Sequence, residues 1–216
     1  MKKIVIFDMD GTLIDSSEDI THSINYVREK IYSLDALSQQ VVIDAINAPV
    51  RNLAKIFYET EAYCEKAKAM FENHYKNQCV QNIYLYEGIK ELLLSLKKRN
   101  ILLGVATNAP TQFCEIMLTH LGVADCFELL IGVEDFSHAK PDPYMLNLHL
   151  QHNNYDKEVD KAWMVGDNSK DIQSASNAMI SSVFVTWGFS SEGDVGNCDY
   201  SINSPSKLLN IIEENF

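Results

Sequence analysis

Two carboxylates stand one residue apart in the run Asp8-Met9-Asp10-Gly11-Thr12. A carboxylate oxygen can attack phosphorus and carry the phosphoryl group as a covalent intermediate. A second carboxylate beside it can protonate the departing oxygen, then take a proton from the attacking water. That chemistry suits Asp8 as nucleophile and Asp10 as general acid and base. Taken alone, the same run also suits a solvated turn with two surface acids.

More chemistry-bearing residues follow along the chain. Asp167 comes after Trp163-Met164-Val165-Gly166, and Asp171 lies four residues on. At a helix start both carboxylates would face one mouth, or they would serve as cap and first-turn charge. Gathering Asp8, Asp10 and Asp167 is costly: two unit charges about 4 Å apart repel by roughly 4 kcal/mol at an effective dielectric of about 20. A hard divalent cation relieves that repulsion, and magnesium prefers carboxylate and phosphate oxygens. Lys140 lies in His138-Ala139-Lys140-Pro141-Asp142-Pro143, a segment that two prolines stiffen. It would hold an ammonium beside the nucleophile and phosphate, or else be a surface lysine. Thr107 and Asn108 can donate hydrogen bonds to phosphoryl oxygens, or cap the helix that follows.

These residues need a scaffold that brings them together. Ile4-Val5-Ile6-Phe7 reads as a buried strand ending at Asp8, and Gly11 permits a turn. Further strands are expected over 101–106, 127–131, 162–165 and 183–185. Helical patterns lie at 89–98, 111–121, 143–152 and 170–178, with a polar stretch at 155–161. Short apolar strands alternating with helices predict an α/β fold, a three-layer Rossmann-like core with a parallel sheet. In such sheets ligands sit beyond the carboxyl ends of the strands. Asp8, Thr107-Asn108 and Asp167 each follow a strand, and Lys140 lies in a loop after one.

Residues 15–82 break the alternation. Their periodicity is helical, with Ile20, Ile24 and Val27, then Val41, Ala45 and Ile46, then Leu53, Ile56 and Phe57 as apolar stripes. The expected organisation is a catalytic core of 1–14 and 83–216, interrupted by a small helical domain of 15–82.

Composition narrows the partners. The net charge of -12 argues against a broad basic face for nucleic acid. No apolar run reaches about 18 residues, so no membrane span is expected. Lys2 and Lys3 precede an apolar segment, but Asp8 cuts it too short for a signal peptide. The five cysteines (Cys64, Cys79, Cys114, Cys126, Cys198) are scattered without a C-x-x-C pair, which predicts reduced thiols in a cytoplasmic protein. His149 and His152 lie three apart on an expected helix, with no third metal ligand in view. Trp163, Tyr84 and Tyr86 read as packing residues. Nothing in the sequence reports the oligomeric state.

The motif set as a whole resembles the haloacid-dehalogenase-like phosphohydrolase superfamily. Asp8-Met9-Asp10-Gly11-Thr12 matches its first motif, Thr107-Asn108 the second and Lys140-Pro141 the third. Gly166-Asp167-x-x-x-Asp171 matches the fourth. The resemblance implies Asp8 as nucleophile and metal ligand, and Asp10 as acid/base with its carbonyl on the metal. Asp167 would be the remaining protein ligand of Mg2+, with Asp171 supporting it from behind. Thr107 and Lys140 would bind the phosphoryl group, with Asn108 positioning Asp10 or the substrate. The insert resembles the family's helical cap. Its Ile46-Asn47-Ala48-Pro49-Val50-Arg51 is similar to a segment of phosphoglycolate phosphatases, with Asn47 where glycine is common. Arg51 would reach a substrate anion or be a solvated cap residue. Val185-Thr186-Trp187-Gly188-Phe189 is similar to the family's segment after the fifth strand. Met179 stands where the helix after the fourth motif usually ends in glycine. The implied activity is magnesium-dependent hydrolysis of a small phosphorylated metabolite, with phosphoglycolate as leading candidate. The alternatives are a β-phosphoglucomutase-like phosphotransferase and a non-catalytic phospho-sensing protein.

Overall fold

A computed structural model describes residues 1–48, 52–134, 136–190 and 197–214. The chain divides into two compact units, one of residues 1–14 and 85–216 and one of residues 15–84. Two short paired strands, β2 (Ile14–Asp15) and β3 (Tyr84–Leu85), lie where the chain passes between them. The sequence had shown no strand at these positions, because two-residue strands carry no periodicity.

The larger unit is built on β1 (Lys3–Phe7), β4 (Leu102–Ala106), β5 (Leu129–Ile131), β6 (Lys161–Gly166), β7 (Ser181–Val185) and β8 (Tyr200–Ile202). They form one sheet in the order β5-β4-β1-β6-β7-β8, and every neighbouring pair is parallel. The α/β class follows the strand–helix alternation. β1 is central, and the chain fills one side of it with β4 and β5 before crossing to β6. Strand order therefore reverses beside β1, where open parallel sheets place their ligands.

Both sheet faces are covered. Ile4, Ile6 and Met164 pack with Met145 and Leu146 of α7 (Tyr144–His152) and Ala175 of α8 (Ser169–Asn177). Period-two alternation sends Val5 and Phe7 to the opposite face, where they are also buried. The remaining helices of this unit are α5 (Ile89–Lys98), α6 (Thr111–His120) and α9 (Ser206–Glu214). β8 and α9 were not anticipated. His149 is buried, and its Nε2 donates to the carbonyl of Val105 at 2.9 Å. Burial lowers its pKa to about 4, so it is a neutral packing residue under β4.

Met179 ends α8 in the left-handed region, at φ 56°. Its N–H bonds Ser176 O, and the Ile180 N–H bonds Ala175 O at 3.1 Å, the two bonds of a Schellman cap. Glycine adopts that conformation without Cβ strain. Met179 is also 83% exposed, so little packing is lost with its side chain. Met179→Gly is expected to stabilise the protein by about 1 kcal/mol in urea unfolding; no gain would show that the cap carries no strain.

The smaller unit is helical: α1 (Ser17–Val27), a π-type turn (Arg28–Tyr32), α2 (Gln39–Asn47), α3 (Leu53–Tyr58) and α4 (Glu65–Gln78). Ser38 and Asn52 cap α2 and α3 through their side chains. Ile24, Val27, Val42, Ala45, Phe57 and Ala67 form its core. Two residues of the expected stripes lie elsewhere: Val41 is 42% and Ile56 38% exposed. Helices this short turn their apolar faces by one position to meet their neighbours, and Val42 takes the buried place. Arg28 is buried, with its guanidinium donating to the carbonyls of Asp35 and Phe57. Arg51 lies outside the described residues.

Candidate active site

The first loop starts where β1 stops. The Asp8 N–H still bonds Val165 O at 2.8 Å, which keeps Asp8 in the sheet. The chain then folds around the Met9 carbonyl, which accepts the N–H groups of Thr12, Leu13 and Ile14. Gly11 makes this turn possible at φ 82°. A Cβ on Gly11 would overlap the Asp167 carboxylate. The absent side chain is what lets Asp167 approach the loop. Asp8 is buried and Asp10 is half-buried.

Lys140 is the electrostatic centre. Its Nζ donates to Asp8 Oδ1 at 2.6 Å, Asp171 Oδ1 at 2.7 Å and Ala106 O at 2.7 Å. The three ammonium protons thus have three acceptors. Asn108 holds the lysine's backbone from both ends of its amide: Oδ1 accepts from Lys140 N at 2.8 Å, and Nδ2 donates to Lys140 O at 3.2 Å. The resemblance had pointed Asn108 toward Asp10 or the substrate; the bond partners of its amide belong to Lys140. The Lys140-Pro141 peptide is cis. Thr107 is buried at the end of β4, and its Oγ1 accepts from Ala109 N at 3.1 Å.

The acidic residues after β6 have different surroundings. Asp171 is the third residue of α8 and forms a capping box with Asn168. Its Oδ2 accepts from Asn168 N at 3.0 Å while Oδ1 holds Lys140. Both of its oxygens are therefore engaged by the protein. Asp167 accepts from Phe189 N at 2.7 Å, and Thr12 Oγ1 lies 3.4 Å away. Carboxylate oxygens of Asp8, Asp167 and Asp171 all lie within 4.8 Å of one another.

The charges do not balance. Three buried carboxylates share one ammonium, so the cluster carries two surplus negative charges when all are ionised. Burial, then Asp8 and Asp171, push the Asp167 pKa up to about 8, against the pull of the Phe189 and Ser190 N–H groups. Burial also raises Asp171, and Lys140 opposes that. For Lys140 burial alone would favour the neutral amine, but Asp171 and Asp8 together win and raise its pKa. A pocket of hard oxygen ligands with surplus negative charge fits a divalent cation such as magnesium.

Comparison with known proteins gives the family. The family described as haloacid dehalogenase-like hydrolase matches residues 5–185. The chain belongs to that family. A phosphoglycolate phosphatase from Colwellia psychrerythraea is 33% identical over 90% of this chain and 88% of its own length. An N-acetylmuramic acid 6-phosphate phosphatase from Pseudomonas putida is 30% identical over 98% of this chain and 96% of its own. A crystal structure described as a predicted phosphoglycolate phosphatase from Haemophilus somnus superposes with a TM-score of 0.83, at 25% identity and 97% coverage of both chains. The hydrolase shares its enzyme class, phosphatase, with these relatives. Among the described residues no helix is long and apolar enough to cross a membrane.

Several parts of the site had no signature in residue type. The Phe189 N–H and the Ala106 carbonyl are backbone groups, which any residue supplies. Trp187 and Gly188 had been read only as a family-like segment. His152 and His149 take no part in the cluster.

Proposed function

We propose that this hydrolase is a magnesium-dependent phosphatase that passes the phosphoryl group through an aspartyl-phosphate on Asp8. The observation that carries the reading is the surplus of buried negative charge around Lys140 at the carboxyl end of β1. Asp8, Asp167 and the Asp10 carbonyl would hold the cation. Bound magnesium supplies the positive charge that lets an anionic phosphoryl group approach a carboxylate. Asp171, with both oxygens engaged, supports Lys140 and the start of α8.

In the first step Asp8 attacks phosphorus, the ester oxygen leaves, and Asp10 gives it a proton. In the second, water attacks the aspartyl-phosphate and Asp10 takes the water's proton, which releases phosphate, restores the Asp8 carboxylate and returns Asp10 to the protonated acid. Asp8 Oδ1 is held by Lys140, and its other oxygen has no hydrogen bond among the described residues. That second oxygen is the one read as attacking. Lys140 would exchange one of its three acceptors for a phosphoryl oxygen, beside Thr107. The helical unit takes the role of the substrate-selecting cap, and Arg51 remains its candidate anion ligand.

Phosphoglycolate is the leading substrate. The similarity to an N-acetylmuramic acid 6-phosphate phosphatase over nearly the whole chain supports a second candidate. Phosphate release from both, with glucose phosphates, nucleotides and pyrophosphate beside them, distinguishes the readings. The expected result is turnover that requires Mg2+, stops with a chelator and favours one of the two named acids. Conversion of glucose 1-phosphate to glucose 6-phosphate without phosphate release would indicate the phosphotransferase. No hydrolysis of any phosphoester in the presence of Mg2+ would overturn the reading in favour of a phospho-sensing protein.

A further inference from the structure

We infer that Trp187 is a positioning residue for the metal site: its indole N–H ties the loop after β7 to the loop after β1, and so fixes Asp167 between them. The inference rests on the magnesium reading above. Trp187 Nε1 donates to Thr12 O at 3.1 Å. Thr12 turns its hydroxyl toward Asp167 Oδ1, and Phe189, two residues beyond Trp187, donates its N–H to Asp167 Oδ2 at 2.7 Å. One oxygen of the carboxylate is thus held by the loop after β7 while the other faces the Thr12 hydroxyl at 3.4 Å, and Trp187 is a direct bond between those loops.

The backbone confirms how close the two loops lie. A Cβ on Gly188 would overlap both Asp167 and the Gly11 carbonyl. A Cβ on Gly11 would overlap the Asp167 carboxylate from the other side. Asp167 therefore sits between two glycines with no slack, and small changes in loop spacing reach its oxygens. Asn168 adds a further link, donating from Nδ2 to Ser190 Oγ at 3.1 Å. The Trp187 ring is half-buried and lines an open groove with Tyr86, Pro205 and Leu209. Replacing it by phenylalanine removes the N–H while keeping an aromatic ring at the edge of that groove.

Groups that orient a metal ligand without touching the metal typically change metal affinity by about 10- to 100-fold when lost. The experiment is Mg2+ titration calorimetry on the unsubstituted protein and on Trp187→Phe. Metal-free thermal melts and the Mg2+ dependence of kcat are measured beside it. The expected result is a weakening of Mg2+ binding by about tenfold, with kcat at saturating Mg2+ changed by less than about threefold. Trp187→Tyr, also without a donor at that point, replaces the phenylalanine variant if the latter does not fold. Mg2+ affinity weakened by less than about fivefold overturns the inference, whatever happens to the melting temperature, because a packing role alone moves stability and leaves affinity in place. Failure of the unsubstituted protein to bind Mg2+ would overturn the magnesium reading, and this inference with it.

Discussion

Asp8→Asn leaves a folded protein that releases phosphate at least about 10^4-fold more slowly than the parent. Asparagine keeps the shape of the side chain and an oxygen for the Lys140 ammonium, which donates to Asp8 Oδ1 at 2.6 Å. It lacks the anionic oxygen that would attack phosphorus in the proposed reaction. The change also removes one of the charges that push the Asp167 pKa up. The metal-free melting temperature is therefore expected to stay level or rise, which separates loss of chemistry from loss of fold. Steady-state release from the best substrate of the panel, with a metal-free melt beside it, makes the measurement. A variant within about 100-fold of the parent would remove Asp8 from the nucleophile's role.

Lys140→Met has the largest expected effect on the fold. The ammonium is buried and satisfies Asp8, Asp171 and the Ala106 carbonyl at once. Removing one partner of a buried ion pair typically costs about 3–5 kcal/mol, because the remaining charge has no compensation. Here three carboxylates would share a pocket with no cation. The cost depends on pH in a definite direction. Carboxyl groups whose pKa is raised in the folded state hold protons that the unfolded chain has released, so stability falls as pH rises. The variant should therefore lose more against the parent at pH 8 than at pH 5, and Mg2+ should restore part of the loss. Urea unfolding at the two pH values, with and without Mg2+, tests this. A loss below about 1 kcal/mol at pH 8 would show that the pocket does not depend on the lysine.

The site was legible wherever residue type carried the signal. Asp8, Lys140, Asp167 and Asp171 stand out because carboxylates and lysine are rarely buried, and here they end or follow apolar strands. The strands β1, β4 and β6 were legible because each is a continuous apolar run buried on both faces. β8 was missed: three residues at a sheet edge, with Ser201 exposed, offer no run to detect. The misplaced stripes at Val41 and Ile56 have a related cause. In helices as short as α2 and α3, one turn of apolar residues fits two neighbouring faces, and packing chooses between them.

By itself the sequence determined the class of fold, the strand ends that carry chemistry and the charge types gathered there. Those follow from hydrophobic periodicity and from side-chain ionisation, which are local properties. Only the tertiary structure decided which acceptors the Lys140 ammonium takes, that Asn108 serves Lys140, and that both oxygens of Asp171 are engaged. It also placed the Trp187 indole on Thr12 and the Phe189 N–H on Asp167. These contacts join residues far apart in the chain through backbone carbonyls and N–H groups. Every residue has such groups, so sequence cannot mark the few that the fold brings within hydrogen-bond distance.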